Sequence, residues 1–240
     1  MLLIGRATRL SRYVTRLDKA YTATARFGAA SDTLDAEGKI TPVAAPYPDE
    51  RAIRAALPSF TGDILQVPPM ASALRRGGVR LYDLHRRGVS AEREARPVRV
   101  HSLTLTSTNP AEATATFEVS CSSGTYVRTL LSDLAEHLGT AAYLTALRRT
   151  SVGHLGLEDA ASSADLLPEG LFAHIIPPSA VVAHLPSVEV HPALVRRVRN
   201  GARMGSYGEE VFRVEVGGEL LAIYREEDGG SRPEVVLCGG

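Results

Sequence analysis

The sequence predicts an α+β fold, with a mixed or antiparallel sheet and helices in its larger part and a small β-rich part at its C-terminal end. Three observations predict it. Side chains alternate with a period of two at Lys19–Phe27, Val98–Thr108 and Ala113–Cys121, the spacing of strands. Apolar residues recur at intervals of three and four at Val127, Leu130, Leu131, Leu134 and Leu138, the stripe of an amphipathic helix. From Pro177 and Pro178 onward the composition shifts to short apolar runs between glycine-rich turns. With 240 residues, 44% hydrophobic and 22% charged, the chain can bury about 70% of its unfolded surface in one or two domains.

Each element follows in order. Lys19–Phe27 is a strand ended by Gly28, and S-D-T-L-D-A-E-G at Ser31–Gly38 is a polar connection. Pro42, Pro46 and Pro48 mark a loop, after which Asp49 caps a short helix through Ile53 and Leu57. Val67-Pro68-Pro69-Met70 opens a basic segment running to Gly88, too rich in glycine and arginine to be core. Val98–Thr108 and Ala113–Cys121 read as paired strands. Gly124 then permits a turn, Thr125 is expected to cap the helix that follows, and Gly139 stops it. Leu144–Val152 is a short strand carrying Leu147, Arg148 and Arg149. Beyond a boundary expected near Ile176 come strands at Val211–Val216, Leu220–Tyr224 and Glu234–Leu237, with a helix near Ala193–Val198.

The zero net charge hides an asymmetry. Residues 1–155 hold 20 basic against 14 acidic residues, and residues 156–240 hold 7 against 13. Of the basic residues only Lys19 and Lys39 are lysines, a bias that base composition of the genome accounts for in larger part. Position says more. Eight arginines fall between Arg75 and Arg99 against Asp83, Glu92 and Glu94, a solvated face or the footprint of a polyanion, and nucleic acid is the expectation. No apolar run has the length of a membrane span, and the N-terminus lacks the pattern of a signal peptide. Cys121 and Cys238 form no disulfide framework, and the seven histidines lack metal-ligand spacing. A cytoplasmic, metal-free protein is expected. Asp32, Asp35 and Glu37 do not have the spacing of a calcium loop either.

One residue stands apart from this pattern. Arg128 falls in the first turn of its helix, where the backbone dipole favours anions. A cation placed there calls for a carboxylate or phosphate to meet it. The bland alternative is a surface arginine beside an acid of its own helix such as Asp133.

Six segments carry a resemblance. D-K-A-Y at Asp18–Tyr21, S-D-T-L-D-A-E-G at Ser31–Gly38, P-P-M-A-S-A-L-R-R-G-G at Pro68–Gly78, L-Y-D-L-H-R-R-G at Leu81–Gly88, S-S-G-T-Y-V-R-T-L at Ser122–Leu130 and L-T-A-L-R-R-T at Leu144–Thr150 together resemble, in order, the bacterial tRNA pseudouridine synthase B family. The resemblance implies a catalytic domain over residues 1–176, an α+β pseudouridine-synthase core with a thumb-like insert at about 67–96. It implies a PUA-like RNA-binding β-barrel over 177–240. It implies isomerisation of one T-loop uridine of tRNA to pseudouridine, by a monomer without cofactor or metal, the partner being the tRNA T-arm.

The site residues follow from the same matches. Arg128 would orient a catalytic aspartate, and Tyr21 would stack on the flipped uracil and take part in removing its C5 proton. Tyr126, Leu147 and Lys19 would line the uridine pocket. Arg75, Arg76, Arg80, Arg86, Arg87 and Arg148 would meet the RNA backbone. Core packing is the alternative for Tyr21, Tyr126 and Leu147. The family's nucleophilic aspartate lies in a G-x-L-D-P-x-A-x-G motif, and no L-D-P occurs in this sequence. Two readings therefore stand: a synthase whose natural start lies upstream of Met1, or a catalytically silent tRNA-binding protein or folding chaperone.

Overall fold

The computed structural model describes residues 1–162 and 171–237. Along the chain, α1 (Ser11–Thr15) precedes strands β1 (Lys19–Phe27), β2 (Ala29–Ser31) and β3 (Ile40–Pro42), then α2 (Glu50–Ala56) and β4 (Gly62–Gln66). A two-residue hairpin pair, β5 (Arg75–Arg76) and β6 (Val79–Arg80), leads into α3 (Leu81–Arg86). Then come β7 (Arg96–Asn109), β8 (Thr114–Cys121), α4 (Val127–His137), β9 (Ala142–Val152) and β10 (Leu155–Gly156). The rest comprises α5 (Pro178–Val181), β11 (Ser187–Glu189), α6 (Val195–Arg199), β12 (Val211–Val216), β13 (Glu219–Glu227) and β14 (Gly230–Val236). The described residues form two compact units, one from Asp18–Val152 and the other from Met1–Leu17 together with Gly153–Gly240.

In the Asp18–Val152 unit, five antiparallel strands run in the order β9-β1-β8-β7-β4. Alternation divides their faces. Ala23, Ala25, Phe117, Val119, Leu103 and Leu105 form one buried layer with Ile53 of α2 and Leu130, Leu131 and Leu134 of α4. The reverse face is polar: the Thr24 and Thr116 hydroxyls lie 3.0 Å apart, and the Thr106 hydroxyl donates to the Thr116 carbonyl. Helix α2 starts where expected, because the Asp49 carboxylate accepts the Ala52 N–H at 2.6 Å. Helix α4 ends at Gly139, whose φ of +74° is the left-handed geometry that halts a helix.

Three local expectations are corrected. Helix α4 has Tyr126, not Thr125, at its N-cap position, and no cap comes from its own sequence. Its last strand neighbour β9 begins at Ala142 rather than Leu144. The basic segment after Pro69 does contribute buried residues, since Leu81 and Ser72 are enclosed despite the surrounding arginines. Gly77 and Gly78 sit at the hairpin turn and Arg75, Arg80, Arg86 and Arg87 are exposed, so composition hid one inward-facing leucine.

The other unit holds a four-stranded sheet in the order β11-β12-β13-β14, with β11 and β12 parallel and the rest antiparallel. Phe212 and Tyr224 stack in one buried cluster with Val214 and Leu221. Leu10 joins Val182, Ile223 and Val235 in a second. The Glu234 carboxylate gathers the Tyr13 hydroxyl with the guanidinium groups of Arg12 and Arg225, fastening the N-terminal segment to β14. Burial, followed by that short bond to Glu234, pushes the Tyr13 hydroxyl up to about 12. The expected helix near Ala193–Val198 is a 3-10 turn at Pro192–Leu194 continuing into α6.

Candidate active site

Two non-local devices build the site around the start of α4. The Tyr126 N–H donates to Gln66 Oε1 at 2.7 Å, and Gln66 Nε2 donates to the Tyr126 carbonyl at 3.1 Å. A single amide thus engages both polar groups of the N-cap backbone, from the end of β4, with only 2% of Gln66 exposed. Two residues later the Arg128 guanidinium donates to three acceptors: the Asp35 carboxylate at 2.6 Å, the Thr33 carbonyl at 3.0 Å and the Ala71 carbonyl at 2.7 Å. The acid that meets Arg128 is therefore Asp35, ninety-three positions away in the chain, and not Asp133.

The turn that carries Asp35 is held from several sides. The Ser31 hydroxyl donates to the Asp35 carbonyl, while the Thr33 hydroxyl and the Glu37 N–H donate to the Asp35 carboxylate. Leu34 adopts φ +63°, a geometry that L side chains resist, and its carbonyl accepts the Leu144 N–H of β9. Gly38 closes the turn where a Cβ would strike the side chains of Ser31, Asp32 and Thr33. Burial alone would raise the Asp35 pKa. The bonds from Thr33, Arg128 and Glu37 outweigh it and hold the carboxyl below its ordinary value. Asp32 caps the far end of the turn by accepting the Lys39 N–H at 2.8 Å.

These groups open onto a cavity of about 520 Å³. Arg128, Asp35, Asp32 and Lys39 form one wall, and Tyr82, His85 and Arg86 of α3 form another. His85 Nε2 lies 3.9 Å from the Asp32 carboxylate. The Arg80 and Arg86 guanidinium groups lie 5.7 and 5.5 Å from the centre of the Tyr82 ring, within cation–aromatic range. Of the residues singled out in the sequence, Arg128 and Arg86 both line this cavity.

The other expected residues are placed differently. Tyr21 lies in β1 between Val119 of β8 and Arg149 of β9, half-buried against the core. Burial raises its pKa, while a hydrogen bond with Arg149 works the other way. Lys19 is partly buried, and desolvation, then the Arg149 charge, lowers its pKa. Leu147 pairs with Ala23 but is 46% exposed, so it is not the packed core leucine that a strand position usually makes. Arg148 pairs with Thr22 and points to solvent. Tyr21, Lys19, Tyr126, Leu147 and Arg148 do not line the 520 Å³ cavity. Arg75 shares β5 with Arg76, whose side chain lies outside the described part, and Arg87 follows α3. Sequence reasoning gave Gln66 and Tyr82 no role of their own and did not pair Asp35 with Arg128. The signal that could have found Asp35 is Arg128 itself, a helix-start cation in need of an anion.

Residues 1–127 match the family model described as TruB family pseudouridylate synthase, N-terminal domain. A tRNA pseudouridine synthase B of Burkholderia mallei is 39% identical over 252 residues, covering all of this chain and 83% of the relative. Those of Cupriavidus metallidurans and Burkholderia lata are 38% and 40% identical, covering 97% of this chain in each case and 79% and 75% of the relative. Among solved structures, a Cbf5-Nop10-Gar1 complex matches with a TM-score of 0.70 at 22% identity, covering 98% of this chain and 71% of that one. An H/ACA ribonucleoprotein bound to a substrate RNA containing 2′-deoxyuridine matches with a TM-score of 0.69 at 19% identity, over the same shares. These last two share the fold.

Proposed function

The chain belongs to the TruB family of pseudouridylate synthases, and from that premise we propose that its partner is the T-arm of tRNA and its target the T-loop uridine. The observation that carries this reading is the Arg128–Asp35 pair on the wall of a cavity whose other wall is the basic α3 segment. Pseudouridine formation breaks the bond between C1′ and N1, turns the uracil and joins C1′ to C5, with the C5 proton leaving and N1 regaining one. The base must first leave its stack, which costs a few kcal/mol and is offset by pocket contacts. Arg128 suits the orientation of a carboxylate at the sugar, because its planar fork holds one oxygen while two backbone carbonyls fix the guanidinium. Tyr21, Tyr126, Leu147 and Lys19 are proposed to contact the base, and Arg75, Arg76, Arg80, Arg86, Arg87 and Arg148 the RNA backbone. Residues 1–176 are read as the catalytic domain and 177–240 as a PUA-like RNA-binding domain. The exposed arginines Arg196, Arg197, Arg199 and Arg203 support the latter, being set around α6 in an otherwise acidic stretch.

A second reading, tRNA binding without catalysis, is favoured by the engagement of Arg128 by Asp35, which already occupies the guanidinium. Tritium release from C5-labelled uridine in a T-arm RNA separates the two. Release at an enzymatic rate supports the synthase; retained binding without release supports the silent binder. Absence of both overturns the T-arm assignment.

A further inference from the structure

We infer that Gln66 is a positioning residue for Arg128, acting through the backbone of Tyr126. The inference rests on the reading of Arg128 as a site residue, and its physical basis is independent of that reading. Helix α4 has no side-chain cap of its own, and its first turn contains no acidic residue to offset the cation at its second position. Without a cap, the first turn of a helix frays, and the Arg128 Cα would share that motion. Gln66 replaces the missing cap with a two-point clamp on Tyr126, and a buried amide can make both bonds only in one orientation.

The clamp also closes a short circuit. From Gln66 the chain passes through Val67 and the enclosed Pro68–Pro69 pair to Ala71, whose carbonyl accepts from Arg128. The stretch from 66 to 71 is therefore anchored twice on the start of α4, once on its backbone and once on its guanidinium. Two prolines in that span restrict the backbone angles available to it. Immediately after Ala71 the chain enters the basic hairpin and α3. Gln66 thus sets where Arg128 stands relative to both Asp35 and the arginine-rich wall of the cavity.

The test reads Asp35 directly. Carboxyl carbon chemical shifts, followed against pH, report how far Arg128 holds Asp35 below its ordinary pKa. In the folded Gln66→Met variant, which keeps shape and loses both hydrogen bonds, the Asp35 midpoint is expected to rise toward that of Arg128→Ala. Gln66→Glu is expected to restore it, because a buried carboxyl protonated in the acidic range can again donate and accept. An unchanged midpoint in folded Gln66→Met, with a lower melting temperature only, would overturn the inference and leave Gln66 a stabilising residue. If Gln66→Met does not fold, Gln66→Asn, too short to reach both atoms, gives the same comparison with the same two outcomes. Affinity for a T-arm hairpin, measured in parallel on the unaltered chain, is a separate matter. Its absence would remove the RNA reading and leave the Asp35 result standing.

Discussion

At the scale of single residues, the chemistry converges on one ion pair whose partners are each about three-quarters enclosed, Arg128 being 22% and Asp35 27% exposed. Removing Arg128 leaves a carboxylate that has given up water and keeps only Thr33 and the Glu37 N–H. Because the folded state lowers the Asp35 pKa, its stabilising contribution is present above the ordinary carboxylate value and is lost as pH falls through the folded one. Arg128→Ala is therefore expected to cost about 1–3 kcal/mol at neutral pH. The difference from the unaltered chain should shrink in acid, and urea unfolding at the two pH values checks it. Tyr21 makes a different test. If the flipped uracil stacks on it, Tyr21→Ala weakens binding of a single-stranded uridine by about 1–3 kcal/mol. Equal affinity would return Tyr21 to the role of a strand residue packed on the core.

At the scale of elements, helix α4 was legible because its apolar spacing is local, and the sheet strands because their alternation is. The Asp49 cap was legible for the same reason. Asp49→Ala is expected to lower stability by about 0.5–2 kcal/mol, read as a drop in denaturant midpoint with unchanged slope. The start of α4 was misread because its cap arrives from Gln66, sixty positions away, and no local pattern announces it. The same holds for Asp35, which periodicity leaves as one acid in a polar connection. Within α4, Asp133 carries a cost: burial, then the Glu136 charge, raises its pKa to about 6. A carboxyl whose folded pKa is raised favours its protonated form in the fold, so stability falls as pH rises from the ordinary carboxylate value to about 6. Asp133→Asn should accordingly stabilise the protein at neutral pH, on the order of 1 kcal/mol after allowance for solvent screening. Thermal melts at neutral and at acidic pH should show the gain in the first and not in the second.

At the scale of the whole molecule, the charge asymmetry read from the sequence makes salt dependence the informative quantity. If α3 and its hairpin meet RNA phosphates, Arg75→Glu with Arg87→Glu flattens the slope of log affinity against log salt by about 0.7–0.9 for each lost contact. An unchanged slope would exclude that segment from the interface. The pairing of Leu10 and Tyr13 with Val235 and Glu234 spans nearly the entire sequence, and no local pattern announces it. That pairing has a consequence for biosynthesis. On the ribosome, residues Asp18–Val152 emerge with strands β1, β4, β7, β8 and β9 in hand and can close their core while translation continues. The segment that carries Leu10, made before that unit, must wait. Its partners on β13 and β14 are made only after that unit, so Leu10 remains exposed to nascent-chain chaperones until those strands have emerged.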